Sequence, residues 1–545
     1  MSQPASANPP FWQNWTGNIK HLSPAGGANY YFTPTNLAEL RAVLAEAKQK
    51  GVTVQASGQR HSQPPLVADD NRNHPPRAPN AYLVDMSCFV DVGAHGIALG
   101  PGDNQVTVNP GVREDDVDAF LTTHDLMFKT VTAGGFFSLG GMTAVDVHGG
   151  TVEAPIFAET ASSFTVLGAD GNLTTIDSAS PSVNGWSPLQ FARVSLGSLG
   201  IVTRITLDVL PRPYATTLQG GTVRYLLKDK PAFVKQFKQQ LTGPAKHSRM
   251  EVFYTPYAAA PNLPFPSLPN FLVLWWDVVD HPDQTLPNTA PSPKTACVLS
   301  HEGVFGAPLL GGIKGFAAKY VRESQYYSNP YNPFHFPPVP TAGFAAIALD
   351  EIESQSAAAN KVHSELWLAE SSQVMFMSYF IELPDLDTAG LGMVWDSLDV
   401  VARRVIQNDS FHIAAPMEFR FVKGGDSAMA GSYSTRADAY FVNVDLIGFI
   451  EPTPTAEYPE QLLQFFADVE RDWVAMDGFP HNGKMYGFYD PAMAEGTHTA
   501  AFNTNFLAEL RKRRGERLKA FKDYRKVQDP SGLFYNDFLR QLLEG

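Results

Sequence analysis

The first two hundred residues alternate between helical and strand-like spacing of their apolar side chains. In TPTNLAELRAVLAEAKQKG the apolar positions recur on one helical face, with Thr35 or Asn36 available as the N-cap and Gly51 as the C-terminal stop. The segments VTVQAS, QVTVNPG and GSLGIVTRITLDVL are typical of strands, and EDDVDAFLTTHD is typical of a short helix. These patterns predict an α+β domain over residues 1–213.

The pattern changes after Pro213. Proline-rich segments at 255–270, 281–294 and 329–340 surround the strand-like FLVLWWDVV and VMFMSYFIEL, and we interpret them as ordered lid loops over a pocket. Two amphipathic segments, VWDSLDVVARRVIQN and PEQLLQFFADVERDWVAM, are predicted to back an antiparallel sheet on one side. The overall prediction is an α+β fold of two domains, 1–213 and 214–495, with a C-terminal segment at 496–545.

Composition and charge restrict the class of protein. The 545 residues are 44% apolar and carry a formal net charge of −14, which disfavours nucleic acid as a partner. No apolar run reaches the roughly 18 residues of a membrane span. The N-terminus lacks a basic and an apolar signal region, so we expect either a cytoplasmic protein or a processed secreted or periplasmic one.

The two cysteines, Cys88 and Cys297, are too few for a disulfide framework or a structural zinc site. Both are interpreted most simply as small buried apolar residues, and whether they pair is left open. No metal site is predicted.

Three glycine-bearing loops carry the clearest chemical signal. They are SGQRHS at 57–62, TAGGFFSLGGMTAVDVHGG at 132–150 and GSLG at 197–200. Glycines let backbone N–H groups approach a pyrophosphate without obstruction. The first strand is not followed by G-x-G-x-x-G, and no G-x-x-x-x-G-K-[ST] occurs, so a Rossmann or P-loop site is disfavoured.

Together and in this order, these loops resemble the FAD domain of the vanillyl-alcohol oxidase type flavoproteins, the PCMH-type FAD-binding domain. The resemblance implies FAD, joined covalently to the histidine at the place of His61, and no cysteinyl link because 132–150 contains no cysteine. The C-terminal DPSGLFYNDF resembles the closing segment of that family. The FAD-binding residues implied are Ser57, Gly58, Gln59, Arg60, His61, Ser62, Gly134, Gly135, Ser138, Gly140, Gly141, His148, Gly197, Gly200, Ile201, Val202 and Asn536.

The second domain contains a charged pair at strand spacing. Glu418 and Arg420 in MEFRF are two residues apart, so they project to one face of a strand, whereas Met417, Phe419 and Phe421 project to the other. A surface ion pair is the simpler alternative. This region and MEVFYTPY resemble the covalent-flavin, type II cholesterol oxidases, which implies catalytic roles for Glu251, Glu418, Arg420 and Asn443.

The expected function is oxidation of a 3β-hydroxysterol to the 3-ketosteroid, with O2 reduced to H2O2 and isomerisation to the 4-en-3-one. Glu418 would take the hydroxyl proton, Arg420 would stabilise developing charge, and Glu251 is the candidate for the proton transfer of isomerisation, although the roles of the two glutamates could also be exchanged. A sterol or other apolar alcohol and O2 are the expected partners, with transient lipid-surface contact for uptake. The substrate-binding candidates are Phe253, Trp275, Phe376 and Lys484.

The alternative is an alditol or sugar-lactone oxidase of the same superfamily. FPHNGKMYGF resembles the histidine-x-glycine-lysine segment of the sugar-lactone oxidases, and Glu-x-Arg also occurs in alditol oxidases. A polyol pocket needs polar side chains for each hydroxyl, whereas the segments around the candidate site are rich in Phe, Trp, Leu and Met. That balance favours the sterol. A flavin-binding lipid carrier and a dehydrogenase remain further alternatives.

Overall fold

The computed structural model describes residue 6 and residues 8–132, 135–212, 218–257, 269–278, 316–332, 334, 339–359 and 374–545. Most of the proline-rich segments interpreted as lids, together with Gly134 and Cys297, lie outside these described residues. Within the described ranges, no helix is long and apolar enough to cross a membrane. The same ranges contain no cluster of three His, Cys, Asp or Glu side chains suited to a metal ion.

The chain begins with an antiparallel pair, β1 (Phe11–Gln13) and β2 (Lys20–Leu22), followed by a parallel three-stranded sheet in the order β3-β5-β4. The strands of this sheet are β3 (Tyr31–Phe32), β4 (Thr53–Ser57) and β5 (Ala81–Asp85). Helix α1 (Leu37–Lys50) connects β3 to β4. The Asn36 side chain caps it by accepting the Glu39 N–H, and Gly51 ends it at φ 66°, which confirms the predicted boundaries.

A five-stranded antiparallel sheet follows, in the order β10-β9-β11-β7-β6. Its strands are β6 (Ile97–Leu99), β7 (Gln105–Val108), β9 (Ala161–Leu167), β10 (Leu173–Asp177) and β11 (Ile201–Asp208). The short β8 (Leu126–Met127) pairs with β12 (Leu210–Pro211). Three helices lie between these strands: α2 (Glu114–Thr123), α3 (Leu139–Ala144) and α4 (Pro188–Ala192).

The second half is organised around a seven-stranded antiparallel sheet in the order β13-β15-β14-β17-β18-β16-β19. Its strands are β13 (Leu218–Tyr225), β14 (Arg249–Tyr254), β15 (Phe271–Val278), β16 (Val374–Leu383), β17 (Met417–Lys423), β18 (Tyr440–Phe449) and β19 (Phe479–Pro480). The predicted α+β fold is therefore confirmed, with the sheet backed by helices as expected.

Helices cover the two faces of this sheet differently. One face packs on α5 (Lys230–Leu241), α8 (Thr388–Gln407) and α9 (Glu460–Ala475) in the largest apolar cluster. Among the described residues, α7 (Thr341–Ala359) covers one end of the opposite face and packs with α6 (Phe316–Ser324). The rest of that second face, called here the cleft face, is turned toward the first domain.

The chain then returns to the first domain through α10 (Thr504–Gln528) and α11 (Asp537–Leu543). The Val54 N–H donates to the Leu533 carbonyl at 2.8 Å, and Phe534 is buried against α1 and β4. The C-terminal segment thereby fixes the strand that leads directly into the loop at 57–62.

One interpretation of a cysteine is wrong. Cys88 is buried, as expected, but it is disulfide-bonded in the structure rather than a free apolar side chain. A disulfide depends on the distance and direction of two Cβ atoms in space, which spacing along the chain does not show.

Candidate functional site

A cleft lies between the glycine loops of the first domain and the cleft face of the seven-stranded sheet. Its first-domain wall is formed by the loop after β4, the segment around α3 and the turn before β11. The predicted FAD-binding residues that line it are Ser57, Gly58, Gln59, Arg60, His61, Ser62, Ser138, Gly140, Gly141, His148, Gly197, Gly200 and Val202.

Two of these glycines are required by close packing. A Cβ at Gly58 would lie 2.3 Å from the Ser138 Oγ atom, so a side chain there would push apart two segments of the first-domain wall. Gly200 has φ 131°, and a Cβ there would lie 2.6 Å from Val166 and 2.7 Å from the Leu167 carbonyl oxygen. Backbone therefore forms much of the cleft surface, which suits a ligand with phosphate groups.

Three predicted FAD-binding residues lie elsewhere. Ile201 is buried in the apolar cluster around α1. Gly135 has φ 65°, and its carbonyl accepts the Asp115 N–H at 2.7 Å behind the cleft. Asn536 caps α11 and donates to the carbonyls of Pro65 and Leu66 at 3.1 and 3.2 Å, so it supports the loop that carries His61.

His61 is enclosed by aromatic rings. It stacks on Trp15 with ring centroids 4.3 Å apart and meets Phe137 edge-on at 4.7 Å. Its Nδ1 atom is buried and has no hydrogen-bond partner among the described residues. Burial, and secondarily the Lys484 ammonium, hold the pKa of His61 well below its usual value. The imidazole is therefore neutral and keeps a nitrogen lone pair for bonding.

On the other side of the cleft, one arginine holds two carboxylates. The Arg420 Nη2 atom lies 2.6 Å from the Glu251 Oε1 atom and also contacts the Glu418 Oε1 atom. All three side chains are less than a tenth exposed. Burial raises the pKa of Glu418 well above its usual value; Arg420 opposes that rise, and the charge of Glu251 adds to it. Glu418 is therefore a carboxyl that accepts a proton more readily than an exposed glutamate does.

A third carboxylate, missed by the sequence analysis, completes this cluster. Asp445 is paired with Glu418 across β17 and β18, just as Asn443 is paired with Arg420. Asp445 lines the cleft and is 7% exposed. Burial raises its pKa, and the Lys484 ammonium opposes that rise most strongly. The spacing of Asn443 and Asp445 in a strand was the available signal.

Lys484 and His481 line the same end of the cleft. The Lys484 ammonium lies 4.1 Å from the centre of the Phe376 ring, a cation–π contact. His481 stacks on Phe380 at 5.9 Å, and its Nδ1 atom accepts the Gly483 N–H at 2.9 Å. The segment 481–484 therefore places the Lys484 ammonium near the carboxylates of the sheet.

The remaining predicted catalytic residue, Asn443, lies under the cleft. Its amide donates to the Ser378 Oγ atom at 3.0 Å. Asn443 also contacts His148, and this contact raises the pKa of His148, whereas burial lowers that pKa by more. The pKa of His148 is lowered to about 3, so it is neutral.

The predicted apolar substrate-binding residues lie mostly in packed clusters, whereas Lys484 lines the cleft. Phe253 is fully buried in a cluster closed by α7, although Phe376 of the same cluster also reaches the cleft. Trp275 lies on the opposite, helix-covered face, where it stacks on His247 at 4.6 Å. Its neighbour Trp276 packs on the cleft face instead, because successive strand residues alternate between faces.

The cleft face thus has two ends, named here by their residues. The charged end comprises Glu251, Glu418, Arg420, Asn443 and Asp445. The apolar end comprises Phe253, Leu272, Leu274, Val374 and Ile447, buried with α7 residues such as Phe344 and Leu349.

Comparisons with known proteins agree with this geometry. Residues 28–177 match the family model described as FAD binding domain, and residues 398–542 match that of D-arabinono-1,4-lactone oxidase. The cholesterol oxidase of Brevibacterium sterolicum superimposes with a TM-score of 0.66, covering all of both chains at 14% identity. A solvent-stable cholesterol oxidase gives the same TM-score at 16% identity, over 99% of this chain and 100% of that one. The chain has the two-domain fold of an FAD-binding flavoprotein.

Curated relatives of this flavoprotein include lactone oxidases and a lactone dehydrogenase. The mouse (Mus musculus) L-gulonolactone oxidase is 28% identical over 201 residues, 37% of this chain and 40% of that protein. The D-arabinono-1,4-lactone oxidase of Eremothecium gossypii is 25% identical over 206 residues, 37% of this chain and 34% of that protein. The matched region therefore spans about two fifths of these relatives or less.

The residues present fit FAD. Glycines leave backbone exposed along the first-domain wall, Arg60 supplies a cation, and the buried Nδ1 atom of His61 has no hydrogen-bond partner among the described residues. The flavoprotein would hold FAD with the loops at 57–62, 138–148 and 195–202. In this arrangement the glycine loops form one wall of the cleft and the charged end of the sheet forms the opposite wall.

Proposed function

We propose that this flavoprotein oxidises a hydroxyl group of a polyhydroxylated compound, an aldonolactone or an alditol, with O2 as the electron acceptor. The observation that carries the proposal is the chemistry of the sheet-side wall. Among the described residues, this wall presents Glu418, Arg420, Asp445, His481 and Lys484, with Phe376 as an apolar member. Such groups pair with hydroxyls and a lactone carbonyl and would be left desolvated by an apolar ring system.

This proposal adopts the alternative of the sequence analysis over the sterol. The preference for a sterol rested on many aromatic and aliphatic side chains near the charged pair. In the structure, Phe271, Trp275, Met375 and Met377 pack in the helix-covered cluster. Phe253, Leu272 and Leu274 are enclosed beneath α7. The lactone-oxidase match over 398–542, which includes Arg420, Asp445 and Lys484, supports the same choice.

Bound FAD supplies the hydride acceptor and the electrons for O2. The chain contributes charge and proton handling at the opposite wall. Arg420 can stabilise negative charge on the substrate oxygen as it loses its proton, because the guanidinium is buried and already oriented by Glu251. Glu418, whose pKa is raised by burial, can hold the proton removed from that hydroxyl. Lys484 can pair with a second substrate oxygen.

We also propose that FAD is attached covalently through His61. The neutral imidazole and its buried Nδ1 atom support this assignment. Acid precipitation of the holoenzyme should leave a yellow, peptide-bound flavin, and His61→Ala should release it. Recovery of all flavin in the supernatant of the parent protein would refute the attachment.

The substrate class is tested by anaerobic reduction of the flavin. L-Gulono-1,4-lactone or xylitol should bleach the flavin absorbance, and readmitted O2 should restore it with formation of H2O2. Cholesterol should leave the absorbance unchanged. Bleaching by cholesterol alone would reinstate the sterol oxidase, and slow reoxidation by O2 after bleaching would indicate a dehydrogenase.

A further inference from the structure

Asp445 differs from the other two carboxylates of the charged end in its contacts. Glu251 and Glu418 each direct an oxygen to Arg420. The Asp445 carboxyl has a hydrogen-bond contact with the Ser378 hydroxyl, which lowers its pKa, but its Oδ1 atom is buried and has no hydrogen-bond partner among the described residues. Asp445 nevertheless lines the cleft. A buried acceptor without a partner costs free energy unless a ligand or a water supplies a donor.

The surroundings of Asp445 indicate what that donor is. Lys484 lies over the ring of Phe376, and both line the cleft beside Asp445. On its own sheet, Asp445 faces Glu418 on one side and Ser378 on the other. Among the described residues at this end of the cleft, the carboxyl groups of Glu251, Glu418 and Asp445 therefore face two cations, Arg420 and Lys484. A neutral hydroxyl donor suits this position better than a further anion, because the carboxylates are already in excess.

We propose that Asp445 determines substrate specificity by accepting a hydrogen bond from a second hydroxyl of the substrate, adjacent to the hydroxyl that is oxidised. This inference rests on the proposed function, since it assigns one residue to the recognition of a polyhydroxylated substrate. A compound without the second hydroxyl leaves the acceptor desolvated and unpaired, and the site rejects it for that reason. Glu418 and Arg420 act on the reacting hydroxyl, and Asp445 acts on its neighbour.

The test uses two lactones that differ by one hydroxyl. D-Erythronolactone carries hydroxyls at C2 and C3, and 2-hydroxy-γ-butyrolactone carries only the C2 hydroxyl. Anaerobic stopped-flow reduction of the holoenzyme gives the Kd and the limiting rate of flavin reduction for each. Thermal stabilisation of the dithionite-reduced holoenzyme by each lactone measures binding without turnover.

We expect the parent to bind the dihydroxy lactone about 10- to 100-fold more tightly. Asp445→Ala should abolish that preference while the limiting rate changes little, and Asp445→Asn, which keeps an acceptor oxygen, should retain part of it. Both variants should fold, because they remove charge from a cluster with excess carboxylate; flavin content and Tm check this. Asp438→Ala, an exposed aspartate that precedes β18, is the matched control.

Four results overturn the inference. Equal loss of affinity for both lactones in Asp445→Ala would show a merely supporting role, such as holding Lys484. A loss confined to the limiting rate would make Asp445 a proton acceptor. If none of the four compounds, the two small lactones, L-gulono-1,4-lactone and xylitol, reduced the flavin of the parent protein, the proposed function would be overturned and this inference with it. If the parent flavin were reduced by L-gulono-1,4-lactone or xylitol but showed no preference between the small lactones, only this inference would be overturned.

Discussion

The charged end and the apolar end of the cleft face share two strands, β14 and β18, and on each of them the change from charged to apolar occurs within two residues. On β14 the change occurs between Glu251 and Phe253, and on β18 between Asp445 and Ile447. The apolar end is closed by α7 and behaves as core, whereas the charged end borders the cleft. Whether a helix covers an apolar side chain, and not its residue type alone, therefore decides whether that side chain can contact a substrate in the cleft.

The largest effect should come from the charged end. Arg420→Ala leaves two buried carboxylates without their shared cation, so we expect a loss of about 3–5 kcal/mol in the free energy of unfolding. The rate of flavin reduction should fall by about 100-fold or more, because the variant removes stabilisation of charge that develops in the reaction. Thermal unfolding and stopped-flow absorbance measure the two quantities.

Arg436→Ala is the control for this variant. Arg436 pairs with Glu382 at 3.3 Å, but its side chain is 42% exposed, so its loss should cost less than about 1 kcal/mol. If Arg420→Ala reduced the flavin as fast as Arg436→Ala, the charged end would be structural and the proposed chemistry would lie elsewhere.

A truncation at the apolar end should have the opposite signature. Leu272 is fully buried beneath α7. Leu272→Ala should lower the free energy of unfolding by about 2–5 kcal/mol through lost packing and a cavity. Well below its Tm, the variant should keep the parent kcat/KM for lactone, measured by O2 uptake. A selective loss of activity on a long apolar alcohol would show that this end binds substrate.

A smaller effect is expected at a buried carboxylate outside the cleft. Glu159 accepts the Ser427 N–H at 2.7 Å and pairs with Arg193 at 3.1 Å between the two domains. Burial raises its pKa from 4.5 to about 7. A raised carboxyl pKa gives stability that is fully present below pH 4.5 and is lost as the pH rises through about 7.

Glu159→Gln should therefore flatten the dependence of Tm on pH between 4.5 and 7, with flavin reduction unaffected. Glu153→Gln, at an exposed carboxylate paired with Lys246, is the control and should leave that dependence as in the parent. An unchanged pH profile in Glu159→Gln would show that this carboxyl titrates normally in the folded protein.

Local signals in the sequence predicted much of the fold. The cap at Asn36, the stop at Gly51 and the alternation in β11 depend on neighbours a few residues away, and the structure confirms them. The glycine loops could be recognised because backbone approach requires glycine whatever the surroundings, as Gly58 and Gly200 illustrate.

The rest depended on tertiary contacts that no local pattern contains. Strand alternation places Leu272, Leu274 and Trp276 on one face of β15 and Trp275 on the other. The pairing of β15 with β14 decides which of these two faces carries Phe253, and this pairing is a tertiary contact. Similarly, Asp445 could be placed beside Asn443, but its unpartnered oxygen follows from packing across several strands. The disulfide bond of Cys88 likewise depends on a tertiary contact that no local sequence pattern contains.

The most direct test of the account is a crystal structure of the dithionite-reduced holoenzyme soaked with L-gulono-1,4-lactone, since reduced flavin cannot consume the substrate. We predict the lactone between the flavin and the charged end, with hydroxyls within hydrogen-bond distance of Arg420, Asp445 or Lys484. A lactone bound away from these residues, or a site that takes up a sterol along a displaced α7 and no lactone, would contradict the account.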